Sequence, residues 1–437
     1  MRTVSDRRAL AGRALATGAL VTAGAAELGC ALVVNRVRRR EAPAAVAAHV
    51  ASRTLERLGP TYVKLGQILA TRRDLLPAEV AARLERLQDR LEPAPFETVP
   101  ARFRAETGLD LHEVFAELDP RPLASASIAS VHRASLRDGT PVAVKVRRPG
   151  VARAIDLDVR LIRGAARLAS RLPGLRGLPL LAALDEFDAC LLRQVDLRLE
   201  ADAGRRVWSA LADHPRIVVP AIVDGLSTES FLVMELLELD RTARGPESRQ
   251  ALVAALRALY QLIFLEGLVH CDLHGGNLFL LPGGEAALVD FGFVAELPES
   301  VRIRFAEFFL GLATNDGPRC ARITVETAAF VPPTLDYARF EAEVGELVSR
   351  AANAVVADFR VADFVLGLFD VQRRHRIVGT SAFTMAIVAL LVFEGVANEI
   401  AGDLDFKREA VPFVLRALAQ AHAGAEPGEP REALAAR

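Results

Sequence analysis

Cysteine is scarce in this chain. Cys30, Cys190, Cys271 and Cys320 are scattered through 437 residues, with no C-x-x-C pair and no zinc-ligand spacing. That excludes a disulfide framework and points to a reducing compartment. An excess of one charge is missing as well: 54 Lys and Arg face 55 Asp and Glu, a formal net charge of −1. A strongly basic nucleic-acid binder is excluded on that balance. No internal repeat is evident, which excludes a solenoid. Uninterrupted membrane-length apolar runs are also lacking. Ala14 to Val34 comes nearest, but it is Ala/Gly-rich, carries Glu27, and leads into the basic run Asn35 to Arg40, "NRVRRR". About twenty apolar residues can cross a bilayer. Three readings stand: a span, an interfacial helix whose Arg36–Arg40 patch meets anionic lipid, or a packed Ala-rich helix. A lipoprotein signal ending at Cys30 fits poorly, because "ELGC" puts Glu27 where an apolar residue is wanted. Phe383 to Phe393, "FTMAIVALLVF", is too short to span and reads as a buried helix continuing into "EGVANEI".

What is present is an ordinary globular balance, 51% hydrophobic and 25% charged, in a chain long enough for two lobes with their own cores. Helical periodicity dominates from Ala44 to about Thr107. One helix starts at Pro60 and another at Pro77, each Pro at a favoured first-turn position. Pro93 to Pro100 is a Pro-punctuated connection. "PLASASIASVHRASLRDGTPVAVKVRRPG" then alternates apolar and polar residues and turns at Asp138-Gly139, a hairpin. Ile155 to Ala212 is helical, broken near Pro173. "RIVVPAIVDG" and "STESFLVMELLE" read as two further strands, Ser248 to Gly267 as a helix, and "LFLLPGGEAALVDFG" as a short hairpin. From Pro298 the chain is helical to Ala421, before a frayed tail. The expected order is a helical extension, a five-stranded sheet with its helix, and a helical lobe.

Chemistry concentrates in "VHCDLHGGNLFLL", Val269 to Leu281. His270, Asp272 and Asn277 have the spacing H-x-D-x-x-x-x-N. Asp290-Phe291-Gly292 follows Asn277, and "VAVK" lies far upstream, ending at Lys145 on the hairpin's second strand. Each piece alone is weak; the three in order, each on the expected element, match the protein-kinase set. A triphosphate is highly anionic, so a Lys must meet its inner phosphates and a divalent metal must neutralise the rest. Asp290 and Asn277 offer hard oxygen ligands suited to Mg²⁺, and Asp272 belongs beside the attacking oxygen as base or orienting group. The bland alternative is a polar turn plus an ordinary strand-end acid. A zinc site from His270, Cys271 and His274 would lack a clear fourth ligand. Lys145 needs a carboxylate to hold it, and Glu200 in "VDLRLEADAG" is the candidate. Asp185, Glu186 and Asp196 are its rivals, and a merely solvated Glu200 is the alternative.

The chain at this point resembles the UbiB/AarF/ADCK family of atypical kinases over roughly Gly59 to Val411. The resemblance rests on "GPTYVKLGQILATRRDLLP", "PLASASIASVHRASLRDGTPVAVKVRRPGV", "VDLRLEADA", "HCDLHGGN" and "VDFG". It implies an α+β, bilobal protein-kinase-like fold with a small five-stranded N-lobe sheet, a helical C-lobe and a helical N-terminal extension. The expected divisions are 1–43, an apolar and basic segment with membrane contact; 44–110, the family-specific extension; 111–240, the N-lobe; 241–421, the C-lobe; and 422–437, the tail. It implies a hallmark K-x-G-Q, here Lys64-Leu65-Gly66-Gln67, on a helix that lies across the nucleotide cleft and restricts access of protein substrates. It implies an Ala-rich loop, here Ala124-Ser125-Ala126-Ser127, in place of the Gly-rich phosphate loop; no G-x-G-x-x-G stands there. Ala and Ser stiffen such a loop where Gly would let it flex. The sequence departs from the family's E-x-D: the matching positions read Gln194-Val195-Asp196, and Gln cannot supply a charge to Lys64.

The resemblance implies ATP and Mg²⁺ as cofactors, with a kinase or ATPase activity on membrane lipids or isoprenoid small molecules, in support of ubiquinone or other isoprenoid-lipid biosynthesis. It implies biosynthetic-complex partners, no peptide substrate, no nucleic acid, and a cytoplasmic location at the inner face of the cell membrane. Two rival functions remain: a nucleotide-gated lipid-binding or regulatory module with little turnover, and an antibiotic-type small-molecule phosphotransferase. The K-x-G-Q and Ala-rich stretches argue against the second.

Overall fold

The computed structural model describes residues 4–38, 43–71, 80, 83–84, 96–126, 128–171, 184, 188, 191, 193–239, 245–353 and 360–424. The expected helix from Pro77 falls almost wholly outside these residues, as does the break near Pro173. The chain forms two compact units. The first comprises 1–209, 219–239 and 289–293; the second comprises 210–218, 240–288 and 294–437.

In the first unit three helices lead. Helix α1 runs Val4–Arg38, α2 Pro43–Leu58 and α3 Pro60–Thr71. Gly59, at φ +105°, makes the left-handed turn between α2 and α3, a conformation that costs a residue with a Cβ. The two charges inside α1's apolar stretch are turned onto protein. Arg13 donates to both oxygens of buried Asp158, at 2.6 and 2.8 Å, and to the carbonyl of Leu58 at 2.9 Å. Glu27 pairs with Arg53 and Arg57 of α2. Gly24 is buried against Thr54, where a Cβ would collide.

The sheet follows: β1 (Phe115–Ser125), β2 (Ala129–Leu136), β3 (Pro141–Arg147) and, beyond β4 (Ile217–Val218), β5 (Phe231–Glu235). Its order is β1-β2-β3-β5, all antiparallel, which makes four strands and not the expected five. The stretch "RIVVPAIVDG" supplied the miscount. Its first part, β4, lies in the second unit and pairs in parallel with the strand Glu285–Leu288. Past Pro220 the chain lies along β5 only through Val223 N to Val233 O and Glu235 N to Ala221 O, a single bridge and not a strand. Alternation in β3 is strict. Val142, Val144 and Val146 enter a core with Phe103 and Phe231, whose rings meet edge-on at 5.2 Å, and Lys145 therefore stands on the opposite face. A helix at Val151–Ala169 follows β3, and Leu197–Ala210 forms another.

The second unit is mostly helical. The helix Pro246–Tyr260 runs into a π-helical turn, Gln261–Glu266, stopped by Gly267 at φ +68°. Strand β6 (Leu268–His270) pairs with β9 (Val294–Glu296), and β7 (Leu278–Leu281) with β8 (Glu285–Leu288). The core is aromatic: Phe264, Phe305, Phe308 and Tyr260 are fully buried. The helix Ser381–Ile400 is long and apolar enough to cross a membrane, yet most of it is buried inside the protein. Its Glu394, 2% exposed, accepts the backbone N–H groups of Val361 and Ala362 at 2.6 and 2.7 Å. A carboxylate in an apolar helix is thereby explained: it caps the preceding helix, Val361–Arg374.

Candidate functional site

Three charged groups of the first unit converge, and the local sequence explains how. Lys145 is carried by β3, on the face left by the alternating Val residues. Glu200 sits in the first turn of the Leu197–Ala210 helix. Asp290 follows β8 in a left-handed turn, φ +62°, which Asp tolerates better than most residues. The Lys145 ammonium donates to Glu200 Oε1 at 2.7 Å and to Asp290 Oδ1 at 3.1 Å. Side-chain exposure is 12% for Lys145, 2% for Glu200 and 44% for Asp290. Glu200 is thus a buried partner and not a solvated face residue; its rivals Asp185 and Glu186 lie outside the described residues. Asp196 accepts three hydrogen bonds from Arg198, side chain and backbone. That bonding holds its carboxyl below the usual range.

Burial pushes the Glu200 carboxyl up to about 7; the Lys145 charge opposes this and the Asp290 charge adds to it. Burial also works against the charge on Lys145, but the carboxylates of Asp290 and Glu200 outweigh it and hold its pKa above the ordinary lysine value. Above pH about 7, where Glu200 is ionised, the trio is one ammonium between two carboxylates and carries an excess of negative charge; below it, the ammonium is balanced by Asp290 alone.

Two glycines that sequence reasoning passed over make this packing feasible. A Cβ on Gly292 would stand 3.2 Å from both Asp290 Oδ1 and Glu200 Oε2; on Gly204 it would press on Phe291 and Ile222, also at 3.2 Å. Gly204 lies one helical turn beyond Glu200, so the face that carries the acid also receives Phe291, which is 3% exposed. Nothing in the sequence around Gly204 marks it; it is recognisable only once Phe291 is placed.

The Ala-rich loop joins β1 to β2. Ala124, Ser125 and Ala126 are exposed; Ser127 lies outside the described residues. On α3, Leu65 packs against a cluster of Val151, Ile155, Leu191 and Val195. Lys64 has no hydrogen-bond or ion-pair partner among the described residues, Gln194 is 8% exposed, and the side chain of Gln67 lies outside the described residues.

In the second unit the loop after β6 is tied to itself. Asn277, 8% exposed, donates its side-chain N–H to the carbonyl of Asp272 at 2.9 Å, and its own N–H goes to His274 O at 2.9 Å. That accounts for the amide five residues after the acid: its nitrogen closes the loop, and its oxygen is the atom suited to a cation. His270 is fully buried, accepting from the Asp272 N–H at 3.3 Å. The Cys271 thiol donates to Val269 O, and among the described residues no three His, Cys, Asp or Glu side chains cluster as metal ligands. The zinc reading therefore gains no support.

Residues 86–324 match the model of the ABC1 atypical kinase-like domain, more than half of the chain. The chain is 32% identical over 373 residues to a protein of Marinobacter nauticus named "Probable protein kinase UbiB", covering 82% of this chain and 68% of that one. It is 31% identical over 369 residues to "Protein ACTIVITY OF BC1 COMPLEX KINASE 3, chloroplastic" of Arabidopsis thaliana, covering 83% and 52%. Among solved structures, the complex of Rv3197 with erythromycin from Mycobacterium tuberculosis matches with a TM-score of 0.50 and 23% identity, over 79% of this chain and 93% of that one, a likeness of fold. On the strength of the matched domain and of relatives about 30% identical over most of its length, the chain belongs to the ABC1 atypical kinase-like family.

Proposed function

We propose that the chain is an ATP-dependent enzyme of the UbiB type, transferring the terminal phosphoryl group to water or to a small or lipid-like acceptor in support of isoprenoid-quinone or membrane-lipid metabolism. The observation that carries this is the grip of Glu200 and Asp290 on Lys145. A lysine held between two acids on a sheet is oriented, charged at every physiological pH, and aimed as a point charge for an inner phosphate. The excess negative charge of the trio and the half-exposed carboxylate of Asp290 fit a divalent cation with hard oxygen preference. In this reading Lys145 binds phosphate, Glu200 orients Lys145 and the Asp290 carboxylate is a Mg²⁺ ligand; in the second unit, the motif positions give the Asn277 amide oxygen a metal-ligand role and give Asp272 the orienting or deprotonating of the acceptor. Bound Mg²⁺ would offset charge on the phosphates. The acceptor is small or lipid-like and not a peptide, by the resemblance of α3 to the occluding K-x-G-Q helix.

Helix α1 supports a place at a membrane surface. Between Ala11 and Cys30 every exposed position is Ala, Gly, Leu, Val, Thr or Cys, and the two charges in that stretch are paired on the inner side. Twenty helical residues extend about 30 Å, the thickness of a hydrocarbon core, and a basic run follows in the sequence.

The test is Mg²⁺-dependent ATP hydrolysis by the full chain, with and without anionic vesicles. Turnover that Asp290→Asn abolishes supports the proposal. A nucleotide-dependent thermal shift without turnover would favour the nucleotide-gated module; stoichiometric phosphorylation of a small hydroxylated compound would favour the antibiotic-type phosphotransferase.

A further inference from the structure

Arg148 lies three residues past Lys145, directly beyond the end of β3, and it is 9% exposed. An arginine so buried must spend its donors on something, and this one spends them on the Ala-rich loop. Its Nε donates to the carbonyl of Ala126 at 2.8 Å and its Nη2 to Ser125 Oγ at 2.8 Å. Its backbone N–H donates to the carbonyl of Ile128, also at 2.8 Å. One residue therefore holds the loop at 125, 126 and 128. Among the described residues, the loop is closed on its own backbone by Ala126 N to Ala129 O at 2.9 Å.

This arrangement has a consequence for anions. Carbonyl oxygens are the negative ends of peptide dipoles and repel phosphate. Arg148 engages two of them, and it brings a delocalised cation to the loop that can never be neutralised by losing its proton. A Gly-rich loop closes on phosphates through backbone freedom. Here the loop lacks Gly, and its conformation is set from outside by a planar fork that binds two acceptors at once. Lys could not reproduce this, since a single ammonium on a flexible stem cannot span Ala126 O and Ser125 Oγ in the same plane.

We infer that Arg148 is a positioning residue for the nucleotide's phosphates: it presets the Ala-rich loop and supplies the loop's positive charge. The inference rests on the nucleotide-binding reading given above. It assigns Ser125 a part as well, as the side chain through which the fork is registered on the loop.

The experiment is calorimetric binding of ATP, ADP and adenosine, each with Mg²⁺, to the full-length wild type and to Arg148→Ala, Arg148→Lys and Ser125→Ala. Loss of a charge-assisted pair should weaken ATP by at least about tenfold in Arg148→Ala, weaken ADP less, and leave adenosine unchanged. Arg148→Lys should recover part of the ATP loss, and Ser125→Ala should show a smaller loss with the fold intact by circular dichroism. A loss shared equally by ATP and adenosine would overturn the inference, because it would mean a structural role alone. So would unchanged ATP affinity in both Arg148 variants while the wild type binds. If the wild type binds none of the three, the nucleotide reading itself fails and takes this inference with it.

Discussion

Lys145 and Glu200 form one ion pair, but their removal should have unequal consequences. Lys145→Met leaves two carboxylates, one of them 2% exposed, side by side without a cation. An uncompensated buried charge costs about 3–5 kcal/mol, and part of that is avoided if Glu200 takes up a proton. The Glu200 carboxyl already stands near 7 against an ordinary 4.5, and loss of Lys145 raises it further. The cost of Lys145→Met should therefore be about 1 kcal/mol at pH 5, where Glu200 is neutral, and about 3 kcal/mol at pH 8, where it must ionise or bind a proton against the bulk. Glu200→Gln behaves differently. It keeps an acceptor for Lys145, leaves Asp290 at 3.1 Å from it, and removes an acid whose ionisation burial opposes. Its net effect at pH 8 should lie within about 1 kcal/mol of zero.

The wild type supplies the sign. A carboxyl raised in the folded state contributes stability that is fully present below pH about 4.5 and is lost as pH rises through about 7. Glu200→Gln should flatten that decline. The chain has one tryptophan, Trp208, on the same helix as Glu200, so urea unfolding followed by its fluorescence at pH 5, 6.5 and 8 reports the unit that contains the trio. A Lys145→Met cost that does not change with pH, or a Glu200→Gln cost that exceeds it at pH 8, would refute the reasoning.

Other expectations are as direct. Gly292→Ala places a methyl 3.2 Å from both carboxylates that hold Lys145; overpacking of this kind should cost about 1–2 kcal/mol in the same unfolding assay and weaken ATP binding. In the second unit, hydrogen bonds from Arg374, Arg339 and His375 bring the Glu343 carboxyl down to about 2. Its contribution is present above pH about 4.5 and lost as pH falls through about 2, so Glu343→Gln should shrink the acid-induced loss of helical circular dichroism. Replacing Ala19 and Ala23 of α1, both exposed, by Glu should reduce flotation with anionic vesicles without changing the thermal midpoint; unchanged flotation would remove α1 from the membrane-contact surface.

Much of this was legible in the sequence, and the residues show why. Strong local signals carried through: Asp138-Gly139 turns a hairpin, Pro60 starts a helix, and the paired glycines before Glu285 close another hairpin. The Lys145, Glu200 and Asp290 positions come from three separate segments, and motif order alone brought them together. The sheet count failed where a signal was local and its outcome was not. Ile217-Val218 has the composition of a strand, but whether it joins β5 or β8 depends on where Pro220 sends the chain. Strand β1 was read only from Pro122 onward: its first part is mostly exposed, holds Pro120 and pairs with β2 through irregular register, so Phe115 to Arg121 shows no alternation to read. Arg148 is the second of an Arg-Arg pair at the end of β3, and nothing in the local sequence sets it apart from Arg147. Its burial against Ala126 and Ser125 is a tertiary fact that no spacing reveals.

The central claim is that Lys145, Glu200 and Asp290 form a metal-dependent nucleotide site, and one titration tests it most directly. ATP is titrated calorimetrically into the wild type and Asp290→Asn, each with Mg²⁺ and with EDTA. The account predicts that Mg²⁺ tightens ATP binding to the wild type and that Asp290→Asn loses this gain while keeping weaker, Mg²⁺-independent binding through Lys145. A wild type whose ATP affinity is the same with Mg²⁺ and with EDTA, or an Asp290→Asn variant that keeps the full Mg²⁺ gain, would contradict it.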